Sequence, residues 1–194
     1  LNCQACDFTN QPDARFCGGC GAQLAQLGAT PISVQTSEPI PSEAERRHLT
    51  ILFCDIVGST EMSTHMDPED LRDVILYFER GAAKVIAAHG GFIARYMGDG
   101  VLVYFGYPQA REDDAERAIR CGLALIDEVG SEKVDLRVGI ASGPVVVGDL
   151  IGTGAAKEQA VVGQAPNLAA RLQALAEPHC VVVGPATRNL VGDL

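Results

Sequence analysis

Apolar residues along this chain follow two periods, and the switches between them mark the elements. Leu49 to Phe53 is a short apolar run bounded by turn chemistry, which predicts a buried central strand that delivers Asp55 to a turn. Gly58, Ser59 and Thr60 then supply the turn and a helix N-cap. From Pro68 to His89, residues Leu71, Val74, Ile75, Phe78, Ala82, Val85 and Ile86 fall on one helical face, and Gly90 ends the helix. Phe92 to Tyr96 and Val101 to Phe105 read as two strands, with Gly98-Asp99-Gly100 at the hairpin tip. A second helix runs from about Glu112 to Val129, with Ala115, Ala118, Ile119, Leu123 and Ile126 inward. Val134 to Ala141 and Val145 to Asp149 read as two strands joined at Ser142-Gly143-Pro144. Residues 160 to 178 hold a short strand and a helix whose buried stripe is Leu168, Leu172 and Leu175. The order strand, helix, strand, strand, helix, strand predicts an α+β fold, a ferredoxin-like βαββαβ sheet with helices on one face.

Composition adds a second, smaller unit. With 194 residues, 47% of them hydrophobic, the chain can bury one full core plus an appendage. Four of the seven cysteines, Cys3, Cys6, Cys17 and Cys20, form paired C-x2-C knuckles, the spacing that brings four thiolates around one structural Zn²⁺. Residues 1 to 24 are too few to bury a core, so as a zinc ribbon they would draw their folding free energy from the metal. Arg15 is the only cation in that stretch, which favours a structural or partner-binding module over a nucleic-acid one. Cys54, Cys121 and Cys180 sit in apolar surroundings and read as small hydrophobes. Residues 25 to 45 hold three prolines and no sustained period, so they read as a linker, and the main domain spans 46 to 194. Residues 151 to 157, IGTGAAK, lack the spacing of a phosphate loop and read as a surface loop.

Charge narrows the partners. Fifteen basic against twenty-five acidic side chains give a formal charge of -10, which argues against nucleic acid and anionic membranes. The absence of an apolar run near 18 residues and of a signal peptide predicts a soluble, cytoplasmic protein. His48, His65, His89 and His179 form no ligand spacing with one another.

The candidate chemistry lies in two carboxylates. Alone, Asp55 would be a turn residue. If the hairpin strands flank the Leu49 strand, however, Asp99 comes beside it, and two carboxylates sharing a site call for a cation such as Mg²⁺ with a substrate phosphate. Asn167 and Arg171, four apart on one helix, are either solvated or a clamp for phosphate.

Four segments, RRHLTILFCDIVGST, GGFIARYMGDGVLVYFGYPQAREDDAERAIRCGLAL, LRVGIASGPVVVGDL and VVGQAPNLAARLQ, together resemble the catalytic domain of class III adenylate/guanylate cyclases. The resemblance runs from Arg46 to Leu194 and is to bacterial members with an N-terminal zinc ribbon. It implies two Mg²⁺ or Mn²⁺ held by Asp55, Asp99 and the backbone carbonyl of Ile56, and phosphates cradled by the turn Ile56, Val57, Gly58, Ser59 and Thr60. It further implies that Asn167 orients the ribose, that Arg171 stabilises the pentacoordinate phosphorus, and that the site is shared between the subunits of a homodimer. The two base-reading positions fall on Arg95 and Ala160; Arg95 stands where adenylyl cyclases have Lys, and Ala160 has no polar side chain. The guanine-reading Glu and Cys pattern is absent, so the implied reaction is ATP to 3′,5′-cyclic AMP and pyrophosphate. A guanylate cyclase and a catalytically degenerate nucleotide-sensing or dimerisation module are the alternatives. A diguanylate cyclase ranks last, since GGFIARYMGDG has no GGDEF-type acidic turn. The family domain continues through a final strand pair with a phosphate-contacting Lys, so its C-terminal end and further domains are expected beyond Leu194.

Overall fold

The computed structural model describes residues 2–11, 16–20, 22, 24, 45–130, 134–150 and 158–192. The chain divides into two compact units, Leu1–Ile40 and Pro41–Leu194. In the small unit an isolated bridge pairs Asn2 with Thr9, and turns bring Cys3 N to Phe8 O (3.0 Å) and Cys17 N to Ala22 O (2.8 Å). Cys3, Cys17 and Leu24 are buried there against Ala22. Of the linker expected over residues 25 to 45 only Glu45 is described, as the first residue of a strand, and the 151–157 loop lies outside the described residues.

The large unit runs β1 (Glu45–Ile56), α1 (Ser59–His65), α2 (Pro68–Ala88), β2 (Phe92–Tyr96), β3 (Gly100–Phe105), α3 (Asp114–Glu128), β4 (Leu136–Leu150), β5 (Glu158–Gly163), α4 (Gln164–Leu175), β6 (Cys180–Val183) and α5 (Pro185–Val191). Its sheet has the order β2-β3-β1-β4-β5, with β6 pairing parallel to β4. The first four strands with α2 and α3 make the βαββαβ arrangement.

Alternation along β1 sorts the two faces. Leu52, Cys54 and Ile56 join Phe78, Ala82, Val85 and Ile86 of α2 and Ala118, Cys121 and Leu125 of α3 in the larger core. Leu49 and Ile51 face the other way, into a second core with Ala165 and Ala169 of α4. The helices of the βαββαβ unit thus lie on one face, as their stripes require, and α4 covers the opposite face.

Several sequence readings shift. β1 is twelve residues long instead of five, because its whole length pairs with β4, from Glu45 opposite Val147 to Ile56 opposite Leu136. The two strands expected on either side of Ser142-Gly143-Pro144 are one, β4. Pairing with β6 ends at Ile140 and pairing with β5 begins at Val145, so Pro144 sits where the outer edge of β4 changes partner and a missing N–H is tolerated. In α3, Cys121, Gly122 and Leu125 face inward and Leu123 is exposed, correcting the expected stripe by part of a turn. In α4 the buried positions are Ala165, Ala169 and Gln173, while Leu168 is exposed and Leu175 is 77% exposed. The reason is Gly139: a Cβ there would collide with Gln173 N and Ala169 O, so the helix seats on β4 through its small residues, and of the three leucines only Leu172 packs against the core. β6 and α5 were not anticipated; the run CVVV and the Gly184-Pro185 helix start are their sequence marks.

Candidate active site

Asp55 ends β1 directly opposite Gly100 at the start of β3, so the condition set by the hairpin is met and Asp99 lies beside Asp55. Gly98, with φ +77°, and Asp99 are the two loop residues, closed by Met97 N to Gly100 O at 2.8 Å. The Asp99 carbonyl accepts from Ile56 N at 3.0 Å, which ties the hairpin tip to the end of β1. Gly100 admits no side chain without crowding, since a Cβ would sit 3.1 Å from Cys54 O and 3.2 Å from Asp55 Oδ1. The Asp99 carboxylate accepts a hydrogen bond from Ser59 Oγ. Of the three residues expected to supply the turn and the helix cap, Gly58, at φ +73°, is the N-cap of α1.

Asp55 Oδ2 accepts from Arg137 Nη2 at 3.2 Å and from Gln173 Nε2 at 3.1 Å. Burial raises the Asp55 carboxyl above its ordinary value and the Asp99 charge raises it further, against the opposing pull of Arg137 and Gln173. Arg137 also carries a buried Nε with no hydrogen-bond partner. Two carboxylates set side by side, one of them held up by burial and by its neighbour's charge, fit a hard divalent cation. Neither Arg137 nor Gln173 was singled out from sequence. Their marks were there: a charge facing Asp55 across the ladder within the apolar run LRVGIA, and one amide in the small-residue stripe of α4.

Arg95 reaches the Asp55 face through a bulge. Ile93 pairs with Val103 and packs in the larger core, but after the register shift Arg95 pairs with Leu102, which belongs to the α4 face. Arg95 lowers the Tyr104 hydroxyl there, against the larger upward effect of burial. Ala160 is placed by backbone register opposite Gly148. Asn167 and Arg171 are both exposed on α4, on a different face from Gln173, and are not brought to Asp55. The phosphate turn contracts: Ile56 N is bonded to Asp99 O and Val57 N to Asp135 O (2.8 Å), so neither N–H is available to a phosphate, and Gly58, Ser59 and Thr60 remain.

In the small unit, Cys3 and Cys20 sulfurs are 3.6 Å apart, those of Cys6 and Cys17 are 3.5 Å apart, and all four lie within 4.8 Å of one another. Thiolates on a tetrahedral Zn²⁺ would be about 3.8 Å apart, from Zn–S distances near 2.3 Å. None of the four is in a disulfide. Ala5 N and Gly19 N donate to Cys3 and Cys17 sulfurs at 3.4 and 3.3 Å, and Asn10 Nδ2 to Cys17 at 3.5 Å. Burial would raise the Cys17 thiol, but its donors, Asn10 first, bring it down to about 6. The cluster is thus able to hold a metal ion.

A ferredoxin-like sheet with paired carboxylates where β1 meets a hairpin tip defines a phosphoryl-chemistry domain of the nucleotidyl cyclase type. The chain belongs to the adenylate and guanylate cyclase catalytic domain family, whose model matches residues 42–192. A guanylyl cyclase crystal structure, Cya2, is 35% identical with a TM-score of 0.72, covering 77% of this chain and 81% of that one. The adenylyl cyclase CyaB from P. aeruginosa is 28% identical with a TM-score of 0.73, covering 78% and 84%. Among curated proteins, one of Rhizobium meliloti is 36% identical over 155 residues, 76% of this chain and 15% of its own length. An adenylate cyclase of Streptomyces coelicolor is 33% identical over 144 residues, 72% of this chain and 33% of its own length. The chain therefore spans a third or less of these two curated relatives. Among the described residues, no helix is long and apolar enough to cross a membrane.

Proposed function

We propose that residues 46–194 form an adenylate cyclase that converts ATP to 3′,5′-cyclic AMP and pyrophosphate at a homodimer interface. The observation that carries this reading is the split of the expected residues. Asp55 and Asp99 converge at one point, while Asn167 and Arg171 stand exposed on α4, away from Asp55 and open to a second copy. Two Mg²⁺ or Mn²⁺ held by Asp55, Asp99 and the Ile56 carbonyl would activate the ribose 3′-hydroxyl and neutralise the departing pyrophosphate.

The chain's own residues do the rest. Asp55 enters the reaction ionised, and a cation bound there would loosen its ion pair with Arg137 and free that guanidinium for the phosphates. Gly58, Ser59 and Thr60 line the phosphate side of the turn. Asn167 of one subunit orients the ribose in the partner's site, and Arg171 meets the charge that develops on the transferred phosphorus. Arg95 offers the base a planar donor on the site face, and Ala160 leaves the second base position without a side-chain hydrogen bond. The four cysteines hold one structural Zn²⁺ in the small unit, and further C-terminal domains of a longer chain would accompany the cyclase.

ATP is favoured over GTP by the missing guanine-reading pair, and Ala160 is the observation that favours the alternative of a degenerate nucleotide-sensing module. Product formation from ATP and GTP in parallel, in Mn²⁺ and across protein concentrations, decides between them. Cyclic AMP with a specific activity that rises with concentration supports the dimeric adenylate cyclase. Cyclic GMP reassigns the substrate, and nucleotide binding without product identifies the sensing module.

A further inference from the structure

We propose that Gln173 is the positioning residue of Asp55. It pins one carboxylate oxygen so that the other is presented to the metal, and so ties each metal centre to the helix that serves the partner subunit's site. The inference rests on the shared dimeric site proposed above.

Asp55 Oδ2 takes both the Gln173 amide and the Arg137 guanidinium. Among the described residues Oδ1 accepts no hydrogen bond; it lies over Gly100, the residue after Asp99. An Asp carboxylate has a broad, two-fold torsion, so without a donor on one oxygen it would not hold the other toward a fixed point. The two donors differ in what a cation does to them. A guanidinium is repelled by a divalent ion at the same carboxylate, whereas a neutral amide on Oδ2 does not oppose a cation on Oδ1. Gln173 is therefore the partner that stays when Arg137 leaves.

Its place in the helix makes the contact obligatory. Gln173 is the only polar member of the buried stripe Ala165, Ala169, Gln173, and a buried amide without a hydrogen bond is costly. The seating of α4 against Gly139 leaves the helix no slack beside β4, the strand that carries Arg137. The same rigid helix displays Asn167 and Arg171 outward. Engagement of Arg171 with the partner's nucleotide and alignment of Asp55 for the subunit's own metals thus move together.

The test is Mn²⁺ titration of the full, zinc-loaded chain, followed by electron paramagnetic resonance, with thermal unfolding in parallel. Gln173→Leu is expected to weaken Mn²⁺ binding about 10-fold, the usual effect of removing a partner behind a metal ligand. Leu172→Ala, which removes apolar packing from the same helix, is expected to lower the unfolding temperature and keep wild-type Mn²⁺ affinity. If Gln173→Leu binds Mn²⁺ like wild type or like Leu172→Ala, while Asp55→Asn loses it, the metal site stands and the role of Gln173 is overturned. If Asp55→Asn binds Mn²⁺ as wild type does, it is the metal-site reading that fails. Mixed dimers of Asp55→Asn and Arg171→Ala chains, which retain one intact site, give a second arm. Gln173→Leu placed in the chain with the intact Asp55 should raise the Mn²⁺ needed for turnover about 10-fold, and placed in the other chain should not. Equal effects in the two placements would reduce Gln173 to a packing residue.

Discussion

The two units of this chain reach a fold by opposite means. The cysteine unit buries only Cys3, Cys17 and Leu24 among its described apolar residues, and two of those three belong to the four-cysteine cluster. The sheet unit buries apolar side chains on both faces, with Phe78, Phe105, Leu52 and Ile140 fully enclosed. A small unit with so little described burial has little to set against the entropy of ordering its chain, and the metal proposed for its four cysteines would supply the difference. The sheet unit has an apolar core to fold around and sets two carboxylates side by side where β1 meets the hairpin tip. Under the function proposed above, metal binding is structural in one unit and functional in the other.

The sharpest way to break this contrast is to take the metals away. Chelation, or Cys3→Ser, should abolish the structure of the cysteine unit outright, seen as fast alkylation of Cys6, Cys17 and Cys20, while the main unfolding transition of the sheet unit is unmoved. A loss of that transition on chelation would show the sheet unit to be metal-dependent as well and erase the distinction. The converse is Arg171→Ala. Its exposed side chain contributes nothing to the fold, so the unfolding temperature should hold while cyclase turnover falls on the order of 10³-fold. Mixing it with Asp55→Asn should restore activity, because one of the two shared sites is then complete. No restoration on mixing would mean that Asn167 and Arg171 do not act across a dimer.

A smaller effect sharpens the burial side of the comparison. Phe78→Ala should cost about 3–5 kcal/mol in urea unfolding, the range for emptying an aromatic site in a packed core. Leu175→Ala, on a residue the apolar stripe would have placed inward but which is mostly exposed, should change stability by less than about 0.5 kcal/mol. Equal losses at the two positions would mean that α4 presents its leucines to the core after all.

Leu175 also illustrates what was legible in the chain. The carboxylates were readable, because a strand ending in Asp55 and a hairpin tip at Asp99 are both local patterns, and local patterns fix which residues a turn displays. The α2 stripe was readable for the same reason, since Phe78, Ala82, Val85 and Ile86 recur at helical spacing and all are buried. The face of α4 was not, because it is set by Gly139 on another strand, which rewards small residues over large ones at the point of closest approach. Arg137 and Gln173 escaped for the same reason. Their meaning comes from a ladder register and a helix seat joining residues 82 and 118 positions from Asp55. The bulge that swings Arg95 onto the site face belongs in this group too, because a register shift leaves no mark in a five-residue strand.

The smallest predicted effect is a pH dependence, and it tests whether the sheet unit tolerates its carboxylates or is held by them. Burial first, and Asp99 second, raise the folded pKa of Asp55 above its ordinary value. A carboxyl raised on folding binds its proton more tightly in the native state. Its favourable contribution is therefore present at low pH and is lost as pH rises through the raised value. At neutral pH, ionised Asp55 is a modest burden on the metal-free sheet unit, one that a divalent cation relieves. Millimolar Mn²⁺ should accordingly raise the unfolding temperature of the zinc-loaded chain near neutral pH, and the gain should fade as pH falls through the raised Asp55 value. In Asp55→Asn the metal-free protein should unfold slightly higher than wild type at neutral pH, and the Mn²⁺ gain should shrink at every pH. Thermal unfolding of both chains with and without Mn²⁺, across pH, makes the comparison. If wild type and Asp55→Asn responded alike, the two carboxylates would be ordinary turn residues, and the sheet unit would need no cation for anything.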